Sequence, residues 1–222
     1  MYNTSLLVSD AEKLGISLTD EQLSLFEKLS ELLVEQNKTM NLTAITDPDG
    51  IAVKHFADSI SALSAFEFAE NAKVLDVGTG AGFPSIPLLI ARPDLEMTMI
   101  DSTAKKLRYV ASTVETLGLS ARVLHTRAEE AGQSKEYRES FDIATSRAVA
   151  NLSTLVEYLL PLVKVGGKFV SYKGDSTDEV DLSTEAQEEH IYEDEEFIVI
   201  NKPSGLLSIE SDSEKSNTAY RM

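Results

Sequence analysis

The chain has 222 residues, 42% of them hydrophobic, and a formal net charge of −17. Its length and apolar content suit one large domain, or a core domain with an accessory segment, and no apolar run approaches the roughly 18 residues that cross a bilayer. The absence of cysteine excludes disulfides, a thiol nucleophile and thiolate-bound zinc and fits a reducing cytoplasm, while three scattered histidines (His55, His125, His190) offer no metal-binding cluster.

The opening "MYNTSLLVSDAEKLGI" lacks a basic start leading into an apolar stretch, so it does not read as a secretory signal. In "SLTDEQLSLFEKLSELLVEQNKTMNLT", Leu23, Phe26, Leu29, Leu32 and Leu33 recur at three- and four-residue steps, which predicts a helix with one apolar face. Thr19 and Gln22 have the spacing of a capping box, and Asp20 and Glu21 suit its first turn. After the Asp-Pro-Asp-Gly turn at 47–50, a second helix is predicted over Ile51 to Phe68. Both helices read as a packing cap on a larger core.

From Lys73 the pattern changes. Short apolar runs ("KVLDVG", "EMTMID", "ARVLH", "FDIATS", "GKFVSYKG") alternate with helical stretches at 84–91, 104–117 and 152–163. That alternation predicts βαβ units, hence an α/β fold with a mostly parallel sheet. The division is a helical region over 1–70, a core over 71–174 and an atypical segment over 175–222.

The stretch "KVLDVGTGAGFPSIP" runs from a strand into a glycine-rich loop and a helix start. Gly78 and Gly80 permit positive φ and a close approach of backbone to ligand, and Pro84 suits a first helical turn. A dinucleotide fingerprint reads G-x-G-x-x-G/A. Here the spacing is G-x-G-x-G after Asp76, with Phe83 at the position the fingerprint reserves for a small residue. An NAD-dependent oxidoreductase is therefore disfavoured, whereas an adenosine bearing an amino acid has no pyrophosphate to seat and tolerates Phe83. Asp101 ends the second strand, where a carboxylate accepts hydrogen bonds from ribose hydroxyls; capping the helix after "DSTAKK" is the alternative.

Residues 73–87, followed by "IDSTAKKLRYV", "TRAEE", "FDIATSRAVANL" and "VSYKG", closely resemble the RsmG (GidB) family. The upstream "MNLTAI" and "KHFADSI" extend the resemblance to about residues 10–174. Members of that family are bacterial methyltransferases that use S-adenosyl-L-methionine to methylate guanine N7 in 16S ribosomal RNA. The resemblance implies a Rossmann-like class I methyltransferase fold preceded by a helical cap, a cytoplasmic setting, and the 30S subunit as partner. It also implies that Gly78 and Phe83 contact the cofactor, that Gly80 and Gly82 shape the loop, and that Asp101 holds the ribose. Ala128 and Glu129 fall on the adenine side. Arg147 falls at the methyl-transfer edge, where a guanidinium grips a cofactor carboxylate or an RNA phosphate. Asn41, His55, Asp58 and Lys173 are motif members and substrate candidates. Guanine N7 carries a free lone pair, so no general base is needed and none is assigned; the implied mechanism is proximity and alignment.

The resemblance ends at Gly174. Residues 175–222 hold 14 acidic and three basic residues, so most of the negative charge lies there. "IYEDEEFIVINKPSGLLSI" resembles the start of an RluA-type pseudouridine synthase domain, without the H-R-L-D motif that carries that family's aspartate. The expectation is a loosely attached tail, with pairing of Phe197–Asn201 into the sheet as the alternative. A remnant that binds S-adenosyl-L-methionine without methylating RNA is the second functional reading. Oligomeric state is not legible.

Overall fold

A computed structural model of the protein describes residues 2–147, 152–172, 190–193 and 197–201. Helix α1 (Thr4–Lys13) is capped by Asn3, whose side chain accepts the Leu6 amide. Helix α2 (Asp20–Met40) starts at Thr19 with the expected capping box: Gln22 N–H donates to the Thr19 hydroxyl at 3.2 Å and Thr19 N–H to the Gln22 side chain at 2.9 Å. The Gln22 amide also donates to the carbonyls of Ile90 and Ala91, at the end of helix α5 (Ser85–Ala91). One side chain thus serves two helix ends that would otherwise leave backbone groups unsatisfied. Phe26, Leu29 and Leu33 are buried, with Leu23 and Leu32 packed beside them.

The second predicted helix is not uniform. A single turn, α3 (Pro48–Gly50), leads into a π-helix (Ile51–Ala57) and then α4 (Asp58–Ala65). A 3.6-residue period cannot describe the wider turn, so the sequence pattern located the element without its local geometry.

Strands β1 (Lys73–Val77), β2 (Glu96–Asp101), β3 (Ala121–His125), β4 (Phe141–Arg147) and β5 (Val163–Tyr172) alternate with α5, α6 (Ala104–Thr116), α7 (Ala128–Gln133) and α8 (Leu152–Leu159). All five pair in parallel in the order β3-β2-β1-β4-β5. Both sheet faces are covered: Val74, Met97, Met99 and Ile143 join the N-terminal helices in one cluster, while Leu75, Val77, Ile100 and Ala144 join α7 and α8 in another. Burial on two faces explains why these strands read as nearly continuous apolar runs. The strand order reverses between β1 and β4, which places a crevice at their carboxyl ends.

The C-terminal segment departs from expectation. Strand β7 (Phe197–Asn201) pairs antiparallel with β5, Val170 opposite Val199 and Tyr172 opposite Phe197, and β6 (His190–Glu193) pairs antiparallel with β7. The ribbon is part of the sheet rather than a loose tail. The physical reason is the outer edge of β5, whose backbone N–H and C=O groups need partners; "FIVIN" is rich in the residues that favour such pairing. Lys173, the acidic linker and residues 202–222 lie outside the described residues.

Candidate active site

Along the carboxyl ends of β1, β2, β3 and β4 runs a cleft of about 620 Å³. Gly78, Gly80, Asp101, Ala128, Glu129 and Arg147 all line it. Six of the predicted positions are therefore brought together. A second hollow of about 520 Å³ lies at the opposite end of the strands, around Arg122 and Tyr137. It is remote from the glycine loop and on the edge that open α/β sheets do not use for ligands.

The loop is shaped by Gly78, Gly80 and Gly82, at φ 73°, 58° and 93°. At Gly80 a Cβ would meet only the Gly78 carbonyl, at 3.8 Å, so the backbone there is open to a ligand. Gly82 is different: a Cβ would lie 2.4 Å from Ile86 Cδ1, so its role is to let the loop close onto α5. Beneath the loop Asp76 is fully buried, accepting hydrogen bonds from the Ser85 hydroxyl and from Thr145 Oγ1 at 3.2 Å. Burial pushes its carboxyl up to about 6, partly offset by the Ser85, Thr79 and Thr145 hydroxyls and by the charge of Arg147.

Asp101 is held by the backbone on both oxygens. Oδ2 accepts the Gly80 amide at 3.0 Å and Oδ1 accepts the Thr103 amide at 2.7 Å. It therefore ties the glycine loop to the segment entering α6, whose N-cap is Thr103 rather than Asp101. Each carboxylate oxygen retains acceptor capacity for a hydroxyl donor. Glu129 stands beside Tyr158, another cleft residue, and its hydrogen bond and charge raise the phenol above its ordinary range.

Arg147 is clamped. Nη1 donates to Asp58 Oδ2 at 2.8 Å and to the Lys54 carbonyl at 3.2 Å, and the guanidinium carbon sits 5.2 Å from the centre of the Phe83 ring. His55 also stacks on Phe83, at 4.7 Å with an interplanar angle of 8°. Phe83 is buried and, among the described residues, does not line the cleft. Its ring packs against Arg147 and His55. His55 Nε2 shares a 2.9 Å hydrogen bond with Thr43 Oγ1, and its buried Nδ1 has no partner among the described residues. Burial, then the charge of Arg147, lowers the imidazole to about 4, so the ring is neutral at physiological pH.

Asn41 is not in the cleft. It is exposed and caps α2 in the left-handed conformation, φ 49°, which asparagine tolerates better than most residues. Its neighbour Leu42 lines the cleft instead. Thr103, Lys106, Thr126 and Arg127 also line it and were missed. A signal existed for the first two, in "DSTAKK" directly after a strand end; Tyr158 on α8 had none.

The family model for rRNA small subunit methyltransferase G matches residues 22–204. The chain belongs to that family. The match takes in β6 and β7, beyond the point at which the motifs stop. Proteins named ribosomal RNA small subunit methyltransferase G include one from Lactobacillus delbrueckii subsp. bulgaricus, 47% identical over 180 residues, covering 80% of this chain and 75% of that protein. One from Exiguobacterium sibiricum is 48% identical over 172 residues, covering 77% and 72%. One from Caldanaerobacter subterraneus subsp. tengcongensis is 42% identical over 199 residues, covering 89% and 83%. Among solved structures, a SAM-dependent O-methyltransferase from Thermotoga maritima superposes with a TM-score of 0.55 at 15% identity, covering 77% of this chain and 71% of that one; this likeness shows the fold.

Proposed function

We propose that this chain transfers the methyl group of S-adenosyl-L-methionine to N7 of a guanine in 16S ribosomal RNA of the small subunit, in the cytoplasm. The observation that carries the reading is the cleft itself, in a member of this family, lined by open backbone at Gly80, the Asp101 carboxylate and the clamped Arg147. These residues fit the cofactor. Asp101 would take the ribose hydroxyls, the open backbone at Gly80 would admit the chain joining sulfur to ribose, and Ala128 and Glu129 would meet the adenine edge. Arg147 would hold an anionic group, either the cofactor carboxylate or an RNA phosphate. When bound, the cofactor supplies an electrophilic methyl on a sulfonium. The remaining work is orientation and exclusion of water, because N7 brings its own lone pair and has no proton to lose. His55 is neutral and partly occupied by Thr43, so it is not assigned as a base.

The test is calorimetric titration with S-adenosylhomocysteine, with NAD as a control, followed by methyl transfer to 30S subunits. Saturable binding, weakened about tenfold in Asp101→Ala through loss of its hydrogen bonds, supports the cofactor assignment. Binding without transfer favours the second reading, a cofactor-binding protein inactive on RNA, for which the acidic stretch after Gly174 is the motivating observation. No binding by folded protein overturns the assignment.

A further inference from the structure

We infer that His55 is a positioning residue: an aromatic ring that, through Phe83, sets the orientation of Arg147 at the edge of the cleft. This rests on the reading of the cleft given above and goes beyond it. Three groups stand in series, His55 against Phe83 at 4.7 Å and nearly parallel, then Phe83 against the guanidinium at 5.2 Å. The π-helix completes the device. The Asp58 amide bonds back to the Val53 carbonyl, five residues earlier. The next carbonyl, that of Lys54, accepts Nη1 of Arg147 at 3.2 Å, while the Asp58 carboxylate accepts from the same nitrogen at 2.8 Å. A guanidinium held by two acceptors on one nitrogen and seated over an aromatic ring has little rotational freedom left. The ring has little too: Phe83 is buried, and Phe56 also flanks it, at 6.3 Å.

His55 is anchored in turn by Thr43, whose hydroxyl also accepts the Ile45 amide. The "MNLTAI" stretch therefore reaches the arginine through Thr43, rather than through the exposed Asn41. The charge acting on the imidazole is that of Arg147, with the Asp58 carboxylate paired to the same guanidinium; a protonated ring at 55 would repel Arg147. This arrangement requires a neutral aromatic at 55, and neither general base function nor contact with RNA.

The test compares His55→Phe, which keeps a ring, with His55→Ala and with His55→Gln, which can keep a bond to Thr43 without a ring. Unfolding curves establish which variants are folded, so at least one ringless variant is available beside His55→Phe. Removing the ring lowers kcat for methyl transfer by about tenfold or more, since small misplacements of a positioned group are costly. His55→Phe restores kcat to within about threefold of wild type, and its pH–rate profile from pH 5.5 to 8 parallels the wild type. An arm independent of ligand and activity follows the Arg147 Nε–H resonance by NMR. Ring current from Phe83 shifts it in wild type and in His55→Phe, and the shift is lost in the ringless variants and in Phe83→Leu. Overturning results are His55→Phe as impaired as His55→Ala, a profile limb present only with histidine, or an Arg147 resonance indifferent to the ring at 55. If wild-type protein binds no S-adenosylhomocysteine, the cofactor reading fails separately, and the NMR arm still decides this inference.

Discussion

Asp76 lies in the strand before the glycine loop and His55 stacks on Phe83 after it, and burial shifts each toward its neutral form. For Asp76 the folded value, about 6, stands above the ordinary 3.8. The native state binds that proton more tightly than the unfolded chain does. Its contribution to stability is complete below about pH 4 and is lost as pH rises through about 6. For His55 the folded value, about 4, stands below the ordinary 6.5. Its contribution is present above about pH 6.5 and is lost as pH falls through about 4. The two slopes oppose each other across nearly the same window, each worth about 3 kcal/mol at full extent. Denaturant unfolding at stepped pH should expose the cancellation. Relative to wild type, Asp76→Asn should gain stability as pH rises from 4 to 6.5, and His55→Phe should lose it. Differences that stay flat across that window would show that neither group titrates as its burial dictates.

The glycine loop is the element on which the cleft depends, and Gly82 is its least replaceable position. Gly82→Ala meets two penalties: a φ of 93° that alanine resists, and a Cβ 2.4 Å from Ile86 Cδ1. Gly118 at the end of α6 has φ 67° and nothing within 4 Å of its Cβ position, so Gly118→Ala meets only the first. Thermal or denaturant unfolding should find Gly118→Ala about 1 kcal/mol less stable than wild type, and Gly82→Ala destabilised by about 2–3 kcal/mol. Gly82→Ala should also weaken S-adenosylhomocysteine binding, while Gly118→Ala should not. Equal losses would mean that Ile86 moves aside freely and that contact with α5 does not shape the loop. The same contrast explains what a sequence conveys about glycines. Their spacing marks a tight loop, but which one faces a ligand and which a neighbouring helix depends on where α5 returns.

For the molecule as a whole, the decisive contact is between β5 and the C-terminal ribbon. Val199 lies mid-strand, opposite Val170 on one side and Tyr192 on the other. Val199→Pro removes a ladder donor between two neighbours and should cost about 3 kcal/mol or more, or free the ribbon. A freed ribbon bares the β5 edge, so light scattering should register self-association of this variant at concentrations where wild type stays dispersed. Unchanged stability and dispersion would mean that the ribbon contributes nothing to the sheet. The sequence by itself determined the parallel α/β core, because apolar runs buried on two faces and separated by helical stretches admit few other arrangements. It also placed Gly78, Gly80 and Asp101 at one edge of the sheet, where loops following strands converge, and the family resemblance added Ala128, Glu129 and Arg147; all six line the cleft. Only the tertiary structure decided that the buried Phe83 contacts both His55 and Arg147, and that β7 joins β5. Each is a contact between segments distant in the chain, set by direction, register and a widened helical turn, and residue type and spacing do not encode those.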